Sequence, residues 1–415
     1  MRTSSIWAVL ASLAISAFGT TARADTPPAG FPKFQVQEID SKLKIGYAVI
    51  LEDLDGDKKP DIVVVDQFQV VWYQNPTWKK RVILDGKTKP DNVCITALDI
   101  DGNGDLELVI GAGWKPFDTK NPGTLQWLKR GKNLDDEWTV HAIPCDEPTV
   151  HRVRAIDLDG DGKPEVVHVP LMGRDSTREK NFMDGRPVRV MAYQVPAEPT
   201  KPENWKPVVL SDELHVCHNF YPYTLPGAKK PMSILVASYE GYSAIILGEG
   251  GKKHQTKLVH KGNQSNPKGN LGASEIKSGT LKSGGSVVGT IEPWHGNQVV
   301  VYTGKRGEKP TRTVLDDHLR WGHAVSFGDL DGDGGDELVI GVRDNPAKGD
   351  TFSEKRGVRL YRSLDGERWD RHILEDGGVA VEDLAVGDLD GDGKPDIVAV
   401  GRQTFNCRIY WNKGK

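Results

Sequence analysis

The chain reads as an all-β protein, a seven-bladed β-propeller of four-stranded antiparallel blades whose ring is closed by its N-terminal strand. Two independent repeats and one leftover segment predict this. An acidic motif starts at Asp53, Asp99, Asp157, Asp329 and Asp388, with successive spacings of 46, 58, 172 and 59 residues. The long gap holds two further units that have lost their carboxylates, which brings the total to seven. A β-rich segment gives the same count on its own: FQVQEID, KKRVILD, WTVHAIP, KPVVLSD, HQTKLVH, TRTVLDD and DRHILED. Between acidic loop and β-rich segment lie an apolar strand (DIVVVD, ELVIGA, DIVAVG) and one carrying an aromatic (VVWYQN, RVMAYQ, VRLYRS, CRIYWN). Four strands per unit with Gly/Asp turns is the pattern of a blade. FQVQEID has no unit before it, so it is expected to complete the last blade.

The acidic loops carry oxygen ligands at alternate positions around a glycine. The first, third, fifth and ninth positions are Asp53, Asp55, Asp57 and Asp61, then Asp99, Asp101 and Asn103 in the second loop. Asp157, Asp159, Asp161 and Glu165 follow, then Asp329, Asp331, Asp333 and Glu337, and last Asp388, Asp390, Asp392 and Asp396. Such spacing can wrap calcium or magnesium. Asp and Gly also make tight turns by bonding their own backbone, so the same loops can be plain staples. They resemble the FG-GAP or VCBS repeats of integrin-type propellers, which implies fold more than function.

Residues 1–24 read as a secretory signal peptide, because Arg2 precedes the apolar run IWAVLASLAISAF and the small-residue site Ala22-Arg23-Ala24 follows. Residues 25–33 are expected to be a linker and 34–415 the propeller, exported to a periplasm or beyond. The apolar run is short for a membrane anchor, and no later stretch could cross a bilayer. Cleavage moves the formal net charge from −4 to −6, which leaves no basic field for nucleic acid. The four cysteines, Cys94, Cys145, Cys217 and Cys407, are too scattered for a disulfide scaffold. One bridge such as Cys145–Cys217 and buried free thiols both remain open. The sequence is silent on oligomeric state.

The opposite end of the first strand of each unit is where chemistry concentrates. His151 lies six residues before Asp157 and His323 six before Asp329, while Glu382 holds the same place before Asp388. Matching KKPMSILVA to GKPEVVHVP carries His151 onto His218 in the fourth unit. Residues in equal register around a ring share one rim. Tyr47 and Val93 hold the position in the first two units, and Gly272 in the fifth. EPWHGN turns back to the same face, so His295 arrives there beside Trp294 and Glu292. Three of eleven histidines in one register suit a transition-metal ion such as zinc, or acid–base work. His215 would point to the other face, and His141, His260 and His372 fall in outer strands. Arg152, Arg174, Arg343, Arg402 and Tyr239, with Trp294, could contact a sugar, and PLMGRDSTREKNFMDGRP could form a wall.

The segments EPTVHRVRAIDLDGDGKPE, PLMGR, CHNFYP, EPWHGN and WGHAVSFGDLDGDG are similar to the propeller domain of aldos-2-ulose dehydratase-like proteins. That resemblance implies a lyase eliminating water from a keto-sugar, a 2-ulose or an anhydrofructose. No cupin segment follows, so isomerisation assigned to such domains is not expected. In the resulting picture His151, His218 and His323, with His295 near them, hold a metal, and a histidine or Glu382 moves protons. The alternative is a non-catalytic, calcium-stabilised propeller that binds carbohydrate or protein.

Overall fold

In the computed structural model, residues 28–415 are described apart from 226, 249–252 and 306–307. The signal-peptide reading, residues 1–24, lies outside them. Seven four-stranded antiparallel sheets follow one another around a ring. Blades one to six occupy residues 48–85, 94–143, 150–214, 219–260, 276–316 and 322–373, each with its strands in sequence order. Blade seven takes its three inner strands from 381–412 and its outermost from Phe34–Asp40, which pairs with Cys407–Asn412. The N-terminal strand therefore closes the ring. Among the described residues no helix is long and apolar enough to cross a membrane.

Burial explains the strand order. Second strands such as Asp61–Val65, Glu107–Ala112 and Glu337–Val342 are buried throughout, because neighbouring blades cover both of their faces. Third strands carry the large aromatics at the blade interfaces, with Trp72, Trp127, Tyr193 and Tyr361 almost fully enclosed. Fourth strands such as Lys79–Asp85 show charged residues to solvent. Residues before the closing strand also pack: Phe31 is buried against His372, with the Arg362 guanidinium 5.6 Å from its ring centre.

The acidic loops join first to second strands. In the first, Asp53 Oδ1 accepts from the amides of Gly56 (2.8 Å) and Asp57 (3.1 Å), and Oδ2 from that of Lys58 (2.8 Å). Gly56 and its counterparts Gly102, Gly160, Gly332 and Gly391 all have φ between 74° and 84°, and a Cβ would meet open space at four of them and only an ordinary contact with the Lys230 side chain at Gly160. The glycine is needed for its left-handed backbone, since nothing there crowds a side chain. The ninth-position carboxylates turn inward. Asp61 accepts from Leu54 and Asn75, Glu165 from Leu158, and Asp396 from Leu389 and Asn412.

All four cysteines are free thiols, so the Cys145–Cys217 bridge does not form.

Candidate active site at the channel mouth

The first strands bring the rim residues together by a shared irregularity. In blades three, six and seven the antiparallel register skips one residue, and the skipped residues are His151, His323 and Glu382. A bulge of this kind re-aims a side chain out of the ladder. Two positions upstream of His151, His218 and His323 stand Thr149, Val216 and Trp321, with φ of 45°, 51° and 55°. Left-handed backbone is costly for branched or bulky residues. It bends the chain into the mouth at the same point of three blades.

Blade five departs from the sequence expectation. Gly272 does not occupy the rim; Ile276 pairs with Thr290, which puts Glu275 where the other blades carry His151, His218, His323 and Glu382. The cause is loop length. The turn between Ile276–Thr280 and Ser286–Glu292 is three residues shorter than the acidic loop before Glu165–Pro170, so counting from the second strand overshoots by three.

Four histidines meet at this level. Ring centres of His151 and His218 are 4.5 Å apart, those of His218 and His295 4.5 Å, and those of His295 and His323 4.7 Å. His151 Nδ1 is 2.9 Å from the His218 carbonyl oxygen, and His323 Nδ1 2.6 Å from that of Glu382. A carbonyl only accepts, so in both rings Nδ1 carries the hydrogen and Nε2 is left with a lone pair. His218 Nδ1 lies 2.7 Å from Glu275 Oε1, close enough for charge pairing but out of line for a good hydrogen bond. His218 Nε2 faces His295 Nε2 at 2.7 Å, so one of the two donates. With the carboxylate drawing the hydrogen of His218 to Nδ1, the donor is His295. Its Nδ1 is buried and has no partner.

Electrostatics keep these rings neutral. Burial holds all four histidines well below the usual imidazole range, and the neighbouring histidines and the guanidinium groups of Arg152 and Arg343 add to the effect. Glu275 is raised by burial and lowered in part by Arg152, whose Nη2 is 3.3 Å away. The Asn219 amide donates to the other oxygen of Glu275. Across the mouth, Arg402 donates to Glu382 Oε1 at 2.6 Å, and Arg343 Nη1 stands 3.6 Å from Oε2.

Ring nitrogens of His218, His295 and His323 lie within 4.8 Å of one another. His151 adjoins this trio through His218. In His323 and His218 the second nitrogen is turned to a carbonyl or carboxylate, the pattern of metal-ligating histidine, and His295 keeps an unpartnered buried nitrogen, so the donor set fits a borderline divalent ion.

Aromatic side chains wall the site. Trp294 stacks on His295 at 3.9 Å and Tyr239 packs against Trp294, while Arg343 lies 4.2 Å over Trp321. Trp114 faces both Tyr47 and His151. The wall 170–187 is anchored through Leu171, Met172 and Phe182, which share a cluster with Tyr239 and Trp294. Arg174 stands apart, bonded to the carbonyls of Lys120 and Asp146. Glu292 is taken up by Arg312 and Tyr302. His215 pairs with Glu240, and His141, His260 and His372 sit in fourth strands. Glu275, Trp321 and Trp114 were not singled out from the sequence. A register count that allowed for the short turn would have found Glu275.

The acidic loops bring carboxylates together at the far end of the same strands. Asp53, Asp55 and Asp57 converge, as do Asp157, Asp159 and Asp161, while in the second loop Glu107 joins Asp99 and Asp101. In that loop Asn103 instead accepts from the Asp105 amide. In blade six Lys415, Arg362 and Lys282 already stand beside Asp331 and Asp333.

Comparison with known proteins agrees with this architecture. The β-propeller domain of aldos-2-ulose dehydratase matches as a family over residues 122–305, and FG-GAP-type repeats match over 53–110 and 380–410. Aldos-2-ulose dehydratase of Phanerodontia chrysosporium is 27% identical over 266 residues, 59% of this chain and 28% of that protein. Integrin alpha pat-2 of Caenorhabditis briggsae is 33% identical over 99 residues, 24% of this chain and 7% of that protein. The chain thus spans less than a third of either relative. Among solved structures, a chain from the mitotic checkpoint complex superposes with a TM-score of 0.52 at 9% identity over 99% of both chains. One from BBS1N in complex with ARL6DN gives 0.51 at 12%, over 92% of this chain and 97% of that one. Likeness at that level speaks to fold alone. The chain is a seven-bladed β-propeller with FG-GAP-type repeats over residues 53–110 and 380–410, similar over 122–305 to the propeller domain of aldos-2-ulose dehydratase.

Proposed function

We propose that this propeller is an exported carbohydrate lyase that eliminates water from a keto-sugar of the aldos-2-ulose or anhydrofructose type at the channel mouth. One observation carries the reading: four neutral imidazoles packed between the carboxylates of Glu275 and Glu382. Three of those histidines and Glu275 fall inside the stretch similar to the dehydratase.

His218, His295 and His323 would hold a divalent metal, which when bound supplies Lewis-acid polarisation of a ketone oxygen. The proton transfers belong to the chain's own residues. The carbon next to the ketone gives its proton to an imidazole lone pair, for which Nε2 of His151, outside the metal-holding trio, is free. The released electron pair forms the C=C bond as the C–O bond beyond it breaks. The departing hydroxyl takes that proton back from the His151 imidazolium and leaves as water. Arg343 and Arg402 hold Glu382 in place, and the tryptophans offer apolar faces to the sugar.

His151→Asn should lower kcat on 1,5-anhydrofructose or an aldos-2-ulose by about 10²–10⁴-fold, followed by the ultraviolet absorbance of the conjugated enone, with circular dichroism unchanged. Glu275 acts as a positioning residue. Glu275→Gln should lower kcat with little change in KM and move the acid limb of the pH profile downward, because a His218 imidazolium would lose its counter-charge. Normal turnover in His151, His218, His295 and His323 variants alike would overturn the lyase reading.

The acidic triads and integrin-type repeats favour the alternative, a calcium-stabilised binding propeller without catalysis. Metal content separates the two. A transition metal that disappears in a His218→Ala, His295→Ala double variant supports the lyase. Calcium alone, unchanged in that variant and accompanied by no turnover, supports the binding module.

A further inference from the structure

Below the histidine layer the channel changes character. Rim residues are buried, whereas further along the first strands Arg154, Tyr221 and Lys277 become half-buried, so water reaches them from the acidic-loop end. Arg154, from blade three, donates to the Phe220 carbonyl (2.8 Å) and the Asn219 side-chain oxygen (3.2 Å) of blade four. Its guanidinium carbon is 5.5 Å from the centre of the Tyr221 ring. Lys277, from blade five, approaches the same ring at 6.0 Å and reaches Ser326 Oγ of blade six at 3.4 Å. Two cations thus flank one aromatic side chain across four adjacent blades.

Neither cation has an ion-pair partner among the described residues. The nearby carboxylates act on both cations through space without touching them: Glu275 bonds Arg152 and Asn219, and Asp383 accepts from the Val49 amide at 3.0 Å. On the strand of Arg154, the buried Arg152 leaves its Nε without an acceptor. Three cations, Arg152, Arg154 and Lys277, thus share two carboxylates within electrostatic reach, Glu275 and Asp383, and surplus positive charge in a confined space is costly. The cost shows in Lys277, which burial first and Arg154 next push down to about 8.

We propose that the lower channel is an oxyanion site, in which Arg154 and Lys277 grip a small carboxylate or sulfate-like group beside Tyr221. The planar guanidinium suits two oxygens of one group, and the ammonium a third. The site lies on the far side of the histidine layer and does not depend on the lyase reading. Around Lys277 stand Arg152, Arg154, Tyr221, Glu275, Ser326 and Asp383, and a bound anion would favour its charged form. Binding should therefore be tighter at pH 7 than at pH 9, where the lysine gives up its proton.

Acetylation of Lys277 in the full chain, mapped by peptide mass spectrometry, tests the proposal without any substitution. Sodium gluconate and sodium sulfate are compared with sodium chloride at equal ionic strength. Either oxyanion should slow modification of Lys277 about fivefold or more while leaving the exposed Lys132 unchanged. Titration calorimetry should show saturable binding that weakens from pH 7 to pH 9 and is lost in Arg154→Met. Equal acetylation of Lys277 in all three salts, or protection that persists in Arg154→Met, would overturn it.

Discussion

Glu337 makes the acidic loops sensitive to pH in a direction opposite to that of most carboxylates. Burial, and the charges of Asp331 and Asp333 after it, push its carboxyl up to about 8, and the same causes put Asp61 and Asp396 at about 6. An unfolded glutamate titrates near 4.3. The folded state therefore binds the extra proton between those values. The stability this contributes is full below about 4.3 and is lost as pH rises through about 8. With calcium chelated, the thermal midpoint should fall between pH 5 and pH 8, and Glu337→Gln should flatten that fall, measured by calorimetry across the range. The spacing of these carboxylates was legible in the sequence; their inward turn to backbone amides was not, since a ligand and a staple use the same residue types. The rim divides in the same way. His151, His323 and Glu382 could be placed because their blades share one loop length, and Glu275 could not because its loop is shorter. Trp321 and Val216 gave no advance signal, as neither residue type favours left-handed backbone.

At the level of strands, the seventh blade depends on a piece of chain remote from the rest of it. Phe34–Asp40 pairs along Cys407–Asn412, from Phe34 opposite Asn412 to Asp40 opposite Cys407. The side-chain bond from Arg408 to Glu38 reinforces that edge. A chain beginning at residue 42 leaves the Cys407–Asn412 edge unpaired, a template for association with other chains. Its thermal midpoint should drop on the order of 10 °C, with concentration-dependent aggregation visible by light scattering. This strand was legible because it was one β-rich segment too many for its position. The bulges that aim the rim residues leave no mark in composition, since the skipped residue in each blade is recognisable only once the partner strand is in register.

Across the whole molecule, the blades divide labour unevenly. Blades one and two present Tyr47 and Val93 at the rim, while blades three to seven present His151, His218, Glu275, His323 and Glu382. The polar side of the mouth is therefore continuous around one arc, with the wall 170–187 packed beside it. Arg154 and Lys277 repeat that asymmetry one level below. A propeller that had only to hold its shape would have no need to concentrate its buried charge on one arc. That concentration was partly legible from the histidine register, whereas the lower cations became recognisable only when Tyr221 was seen between them.

The closing strand also means that the ring has no inherent beginning. Its two ends run side by side, with the Lys33 amide bonded to the Gly414 carbonyl at 2.8 Å and the Lys413 amide to the Lys33 carbonyl at 2.8 Å. A short linker could join them covalently, and new ends could be opened in the exposed segment 347–349 between the second and third strands of blade six. Every ladder would survive such a permutation. The permuted chain should melt within a few degrees of the natural order and keep all seven blades, which would show that the order of the blades in the gene is a convention the folded molecule does not read.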